Sequence, residues 1–448
     1  MKRLIHNARI LTLDPEGSVL DRGWILLEED RIRALGPMPC EENGPSVLRH
    51  LPQADEEIDA RGGIVLPGLI NTHCHVPMMP FRSLGDDCPD RLRRFLFPLE
   101  NEAMTRKLVY RAARYGICEM LLSGITTFVD MYYFEEETAR ACAELGIRGI
   151  LGETVIGQPA CDSPQPYGGL ALAETFIREW KGHERVMPII APHATNTNSP
   201  EMLKKAGQIA ERYDTLLTLH ASEMDYELTY FKEQFGKTPV EFLDSIGLLG
   251  PKLLAAHCIH LTEGDIRLLA ESGTKVSHCI GSNTKAGKGV APVKQLLSEG
   301  IPVGLGTDGA SSGNTLDLFT QFRLFASFHK TENRDRSLFP ASEIVALGTM
   351  GGAKAVGLER EIGSLEPGKK ADLILVETES AHMFPCYDPY SALVYSANAS
   401  NVELVMADGE IVVRDKTLVS ADLKKIRREM ENEMGAFSRA AMERAEKL

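Results

Sequence analysis

The sequence predicts an α/β fold: a closed (β/α)8 TIM barrel, joined by a small β-sandwich that both chain ends build together. Three observations point there. Between about residues 64 and 308 an apolar strand, a short polar loop and an amphipathic helix recur eight times. Nearly every one of those strands ends in an ionisable side chain. Both flanks carry short strands and turns, with too few apolar residues for a core of their own.

Taken in order, residues 1–63 form the first part of the sandwich, with Gly23-Trp24-Ile25-Leu26-Leu27-Glu28 as a typical strand. The barrel occupies 64–363, with strands expected at 64–71, 125–131, 148–154, 186–191, 216–219, 253–256, 274–277 and 301–305. The first of these is an apolar, β-branched run broken by Pro67-Gly68, which reads as a buried strand or the entry into one. Helices fill the gaps. That over 201–213 has helical periodicity, Ser199 as N-cap and Pro200 at the first helical position. The helix 293–298 stops just before Gly300. Residues 364–420 return to strands, as in Ala371-Asp372-Leu373-Ile374-Leu375-Val376, and complete the sandwich. The tail, 421–448, is charged and helical, suited to a surface or a subunit contact.

Composition narrows the partners. A net charge of −14 over 448 residues argues against nucleic acid or an anionic membrane surface. No apolar run approaches the length of a membrane span, and the N-terminus lacks the apolar core of a signal peptide. The nine cysteines are scattered, with no C-x-x-C spacing, as expected of reduced thiols in a cytoplasmic protein. A small-molecule substrate and a homo-oligomeric assembly are expected.

The strand ends carry the chemistry. His73 and His75 lie two residues apart, so in a strand they share a face. In order the strands lead to His73 and His75, Asp130, Glu153, His193, His220, His257, His278 and Asp308, although the chain has only 12 histidines. In a parallel barrel these ends gather at one mouth, where active sites are built. His73, His75, His220 and Asp308 would offer three imidazoles and a carboxylate to one metal ion, with room for water. Zinc is the first expectation, one per subunit; iron and manganese suit the same donors. A second metal would need a bridging group, commonly a modified lysine after the fourth strand, where Pro192-His193 stands instead. Bound water would fall in pKa from about 15.7 toward about 7. Glu223, three residues past His220, is placed to carry a proton from water to substrate and leaving group. Its alternative role is a glutamate at a helix N-terminus. His257 would hold the attacking water or a developing oxyanion, unless it is a structural histidine.

The motifs PGLINTHCH (67–75), LHASE (219–223), LAAHCIH (254–260), SHCIGSN (277–283), GLGTDGASS (304–312) and IGSLEPGKKADLILVE (362–377) resemble the amidohydrolase superfamily, in its mononuclear zinc aminohydrolase branch. GITTFVDMYYFEEE (124–137) and APHATNTNSP (191–200) resemble the methylthioadenosine/S-adenosylhomocysteine deaminases of that branch. The resemblance implies His73, His75, His220 and Asp308 as zinc ligands, Glu223 as proton shuttle and His257 as the histidine that orients the nucleophile. It gives Asp308 a second role as proton acceptor, sets His193 against the purine, and sets Glu100 on the ribose hydroxyls. It also implies an arginine after the third strand and a tryptophan after the first. Glu153 stands at about the arginine's place and 90–95 contains no tryptophan, so a homocysteine carboxylate would be repelled. Glu153 is then expected to meet a cation or hydroxyl of the substrate, or to form a strand-end salt bridge. The predicted activity is hydrolytic deamination of an amino-substituted heterocycle, an adenosine-type nucleoside first. The alternatives are a guanine, pterin or triazine aminohydrolase, a chlorohydrolase, or a barrel that binds without catalysis. Among neighbouring residues, Cys74 should point away from the histidines, Asp130 can bond locally, His278 can be structural, and His260 should start a helix.

Overall fold

The computed structural model describes residues 1–39 and 51–446. Its eight parallel strands are β1 Leu69–Cys74, β2 Ile125–Tyr132, β3 Arg148–Val155, β4 Val186–Pro192, β5 Leu217–Ala221, β6 Leu253–His257, β7 Lys275–His278 and β8 Val303–Leu305. Each lies beside its neighbour in sequence. The two edges of the sheet then meet. Asp308 N donates to His73 O at 3.0 Å, Asn71 Nδ2 to Thr307 Oγ1 at 2.7 Å, and the Thr72 and Ser277 hydroxyls bond at 2.6 Å. Gly304 makes that closure possible, because a Cβ there would stand 2.4 Å from Thr72 Cγ2.

The structure departs from expectation at both ends of the strands. The run beginning at Ile64 is not one strand. Ile64–Pro67 pairs antiparallel with Leu373–Val376, and only after Gly68 does the chain enter β1. Proline and glycine break the ladder there, and a Cβ on Gly68 would lie 2.3 Å from Thr126 Oγ1. At the other end several strands run further than the apolar pattern. Ala221 still registers with His257, and Tyr132 with Glu153. His220, His257, His278, Asp130 and Glu153 therefore lie in the last residues of strands, because a polar side chain does not stop a parallel ladder.

Both chain ends build one separate mixed sheet of nine strands. Lys2–Leu11 joins it together, pairing antiparallel with Val19–Glu28 and parallel with Glu56–Asp59 and Ile64–Pro67. A register shift between Ile5 and Ala8 keeps its apolar residues on the core side: Ile5, Ala8 and Ile10 are fully buried with Ile25, Val65, Leu373 and Met406. Each large side chain so buried contributes roughly 1.5–3 kcal/mol.

By packing, the chain forms two compact units. One comprises Met1–Ile70, Met120–Thr126 and Asp317–Ser420; the other comprises Asn71–Glu119, Thr127–Leu316 and Ala421–Leu448. Within the second unit the tail forms two helices, Leu423–Glu433 and Gly435–Ala445, meeting at Met434. Phe437 packs edge-to-face on Phe81 with ring centres 4.7 Å apart, and Arg111 and Arg114 bond Glu429. Eight cysteines are free thiols; Cys40 lies outside the described residues. Among the described residues no helix is long and apolar enough to cross a membrane.

Candidate active site

The strand alternation does what the sequence asked of it. His73 and His75 come to one side, their ring centres 4.9 Å apart, while Cys74 turns to β2 and donates to Val129 O at 3.2 Å. The His75 Nδ1 donates to Met131 O at 2.6 Å, and His220 Nδ1 donates to His193 O. A carbonyl only accepts, so both Nδ1 atoms carry a proton, and in the neutral ring that ligates a metal each Nε2 offers its lone pair. Those lone pairs converge. His220 Nε2 is 3.2 Å from His73 Nε2, and His75 Nε2 is 3.3 Å from Asp308 Oδ1. The ligating atoms of His73, His75 and Asp308 lie within 4.8 Å of one another, as do those of His73, His220 and His257.

This donor set fits a divalent metal. Burial above all, and then the neighbouring imidazoles, push His73 and His220 well below the ordinary histidine value, into the neutral form that ligates. Burial pulls the Asp308 carboxyl up, but His75, His257 and His73 outweigh it and hold it ionised. Two neutral ring nitrogens at 3.2 Å call for a proton or a cation between them. The backbone is bent to the same purpose. Ser222, His257 and Asp308 all adopt the left-handed region, with φ of 49°, 71° and 59°. For non-glycine residues this costs on the order of 1–3 kcal/mol each, and here it turns three side chains at the barrel mouth.

Glu223 follows β5 and does not cap the next helix, Asp225–Phe235. Glu227 takes that task, its Oε1 accepting from Glu223 N at 3.2 Å and Met224 N at 3.0 Å. The freed Glu223 carboxylate receives a bond from Lys288 Nζ on Oε1, and His257 Nε2 stands 3.6 Å from the same oxygen. Burial pulls this carboxyl up, yet His257, Lys288 and His220 hold it below the usual carboxylate range. His257 Nδ1 donates to Asn283 Oδ1 at 2.8 Å, which leaves its Nε2 lone pair facing Glu223.

The remaining predicted residues divide. His193 Nδ1 bonds Thr197 Oγ1 at 3.1 Å, and its ring meets Phe97 at 5.3 Å and His220 at 4.9 Å. Burial first, then His75, push it down to about 4. Glu100, on the helix Phe97–Ala103, is pushed up to about 7 by burial, with the Tyr132 hydroxyl pulling the other way. Glu153 accepts from Glu135 N at 2.9 Å, and burial and Asp162 hold its carboxyl well above the usual range. Among the described residues no hydrogen bond or ring contact ties it to the histidines. Asp130 bonds locally, accepting from Val76 N at 2.7 Å, and so shapes the turn after His75. His278 is buried at the end of β7. His260 does not start a helix: the next one, Glu263–Ser272, is capped by Thr262. Lys288, Asn283 and Phe97 are the site residues the sequence did not single out. Lys288 lies in a glycine-flanked loop, where a lysine reads as solvated charge.

Comparison with known proteins gives a consistent result. The sequence profile of the amidohydrolase family matches residues 64–412. A 5-methylthioadenosine/S-adenosylhomocysteine deaminase of Syntrophobacter fumaroxidans is 38% identical, covering 94% of this chain and 95% of its own. A 5′-deoxyadenosine deaminase of Methanosarcina mazei is likewise 38% identical, over 94% and 95% of the two chains. The crystal structure of an adenosine deaminase from Xanthomonas campestris with bound zinc superposes with a TM-score of 0.92, at 28% identity, over 97% of this chain and 98% of that one.

Proposed function

The chain belongs to the amidohydrolase family, and we propose that it is a metal-dependent hydrolytic deaminase of adenosine-type nucleosides, releasing ammonia. One observation carries the reading: the carbonyl-anchored imidazoles of His75 and His220 aim their Nε2 lone pairs where His73 and Asp308 also converge, with Glu223 and His257 beside them. The names of the relatives, adenosine-type deaminases among them, support the nucleoside.

In this reading His73, His75, His220 and Asp308 hold one zinc ion, with iron or manganese able to replace it. When bound, the metal supplies a water that loses a proton near neutral pH. Glu223 takes that proton, delivers it to the ring nitrogen beside the amine-bearing carbon, and then serves the departing amine. The ring carbon gains the water's oxygen and loses ammonia. Asp308 accepts the remaining proton, which passes to the departing amine, so that ammonia leaves and both carboxylates return to the ionised form. His257 orients the attacking water through Nε2. His193 lies against the heterocycle, and Glu100 accepts from the ribose hydroxyls. The loop 158–169 after the third strand holds no arginine to grip a carboxylate at the substrate's far end, so adenosine, 5′-deoxyadenosine and methylthioadenosine rank above adenosylhomocysteine.

The same proposal assigns 64–363 to the metal-dependent barrel, less the strand Ile64–Pro67 that joins the chain-end sheet, 1–63 and 364–420 to that sheet, and 421–448 to a C-terminal pair of helices. It places the enzyme in the cytoplasm, supported by its free thiols, as a homo-oligomer. The test is ammonia release by zinc-loaded protein on these four nucleosides, guanine, cytosine, a pterin and an aminotriazine. Turnover of nucleosides with adenosylhomocysteine poorest is expected. Turnover of bare heterocycles alone would overturn the role of Glu100 and the nucleoside with it.

A further inference from the structure

We propose that Lys288 is a positioning residue, which clamps the carboxylate of Glu223 in its working orientation before substrate arrives. The two residues lie 65 positions apart, on the loops after β7 and β5. Their side chains are only 17% and 18% exposed, so the ion pair is largely shielded from solvent. Lys288 is set from behind by its own backbone, N donating to Asn283 O at 2.9 Å. The next residue, Gly289, has φ of +117°, a conformation open to glycine but not to other side chains. The clamp thus shares Asn283 with the orienter of His257: Asn283 O receives Lys288 N, and Asn283 Oδ1 receives His257 Nδ1. One short helix, Ile280–Lys285, thereby fixes both groups that flank Glu223.

The chemistry gives the clamp a purpose. Lys288 Nζ donates to Oε1 of Glu223, and His257 Nε2 stands 3.6 Å from the same oxygen. A carboxylate held by one oxygen loses its side-chain rotation and keeps the other oxygen for proton transfer. A buried ammonium beside it also favours the ionised form, the form that must first take a proton. Ring nitrogens next to an exocyclic amine are weak bases, so a carboxyl kept acidic is also the better donor in the second transfer. The other groups facing Glu223 are His220, His193 and Glu227.

This inference rests on Glu223 being the proton carrier of the proposed deaminase, and a double-mutant cycle separates the two. Lys288→Met, Lys288→Arg, Glu223→Gln and Lys288→Met/Glu223→Gln are made, and kcat, KM, bound zinc and melting temperature are measured for each. Lys288→Met is expected to lower kcat on the order of 100-fold, with KM and bound zinc within two-fold, and Lys288→Arg to restore most of it. In the Glu223→Gln background Lys288→Met should cost nothing further. A full Lys288→Met loss in that background, or a loss confined to KM, would overturn the clamp and make Lys288 a substrate contact. Undiminished kcat in Lys288→Met would overturn it too. If Glu223→Gln itself keeps normal activity, the proton-carrier reading fails instead.

Discussion

Replacing Asn283 by alanine tests the geometry beside Glu223 most directly. In the native site His257 Nδ1 gives its proton to Asn283 Oδ1 at 2.8 Å, and both groups are buried. This bond selects the tautomer whose Nε2 lone pair faces Glu223. In Asn283→Ala the Nδ1–H has no acceptor, and the ring can move its proton to Nε2, against the Glu223 carboxylate. Leaving a buried donor unsatisfied costs about 1–3 kcal/mol. If that cost falls on the reactive tautomer, it converts to roughly a 5- to 150-fold loss of kcat/KM, since about 1.4 kcal/mol is tenfold in rate. Initial rates of ammonia release from 5′-deoxyadenosine, at limiting and saturating substrate, measure the loss. Melting by circular dichroism shows whether the fold survives. Asn283→Asp keeps an acceptor and should retain more activity than Asn283→Ala. An alanine variant with unchanged melting and kcat/KM within two-fold of the parent would refute the tautomer argument.

Three further outcomes are expected. Between its ordinary value and about 7, Glu100 is protonated in the folded state and ionised in the unfolded chain, so its contribution to stability falls as pH rises through that window; Glu100→Gln should gain roughly 3 kcal/mol on the parent between pH 5 and pH 8 in urea unfolding, and parallel curves would count against it. Removing metal with a chelator should lower the melting temperature, and zinc at about 1,000 times its dissociation constant should restore about 4 kcal/mol; a melting temperature indifferent to zinc would argue against the donor set. Gly304→Ala, whose Cβ would stand 2.4 Å from Thr72 Cγ2, should cost about 1–3 kcal/mol, with Thr72→Ala in the same chain recovering a substantial part. Full stability of the single variant would mean that β1 and β8 are not packed as tightly as described.

Features whose cause is local could be read from residue order. The eight strands follow from apolar runs, and the helix Pro200–Tyr213 from Ser199, whose side chain accepts from Met202 N at 3.3 Å. His73 and His75 share a face because side chains alternate along any strand, and the same rule turns Cys74 away. The gathering of His193, His220, His257 and Asp308 follows from one further step, since a parallel barrel brings all its strand ends to one mouth.

Features made by residues far apart in sequence needed the folded chain. The close approach that leaves no room for a side chain at 68 depends on Thr126, which has no signal in the residues around 68. Glu153 reads as a strand-end carboxylate, but its partners are the start of the helix Glu135–Leu145 and Asp162. The tail reads as one charged helix, and becomes two that meet at Met434 with Phe437 packed on Phe81. Lys288 in its loop looks like any solvated lysine until barrel closure carries it to Glu223, away from most solvent. Periodicity acts through covalent geometry over a few residues and so decides which face a side chain takes. The partner it meets there depends on how distant strands and loops close on one another, and no local pattern encodes that.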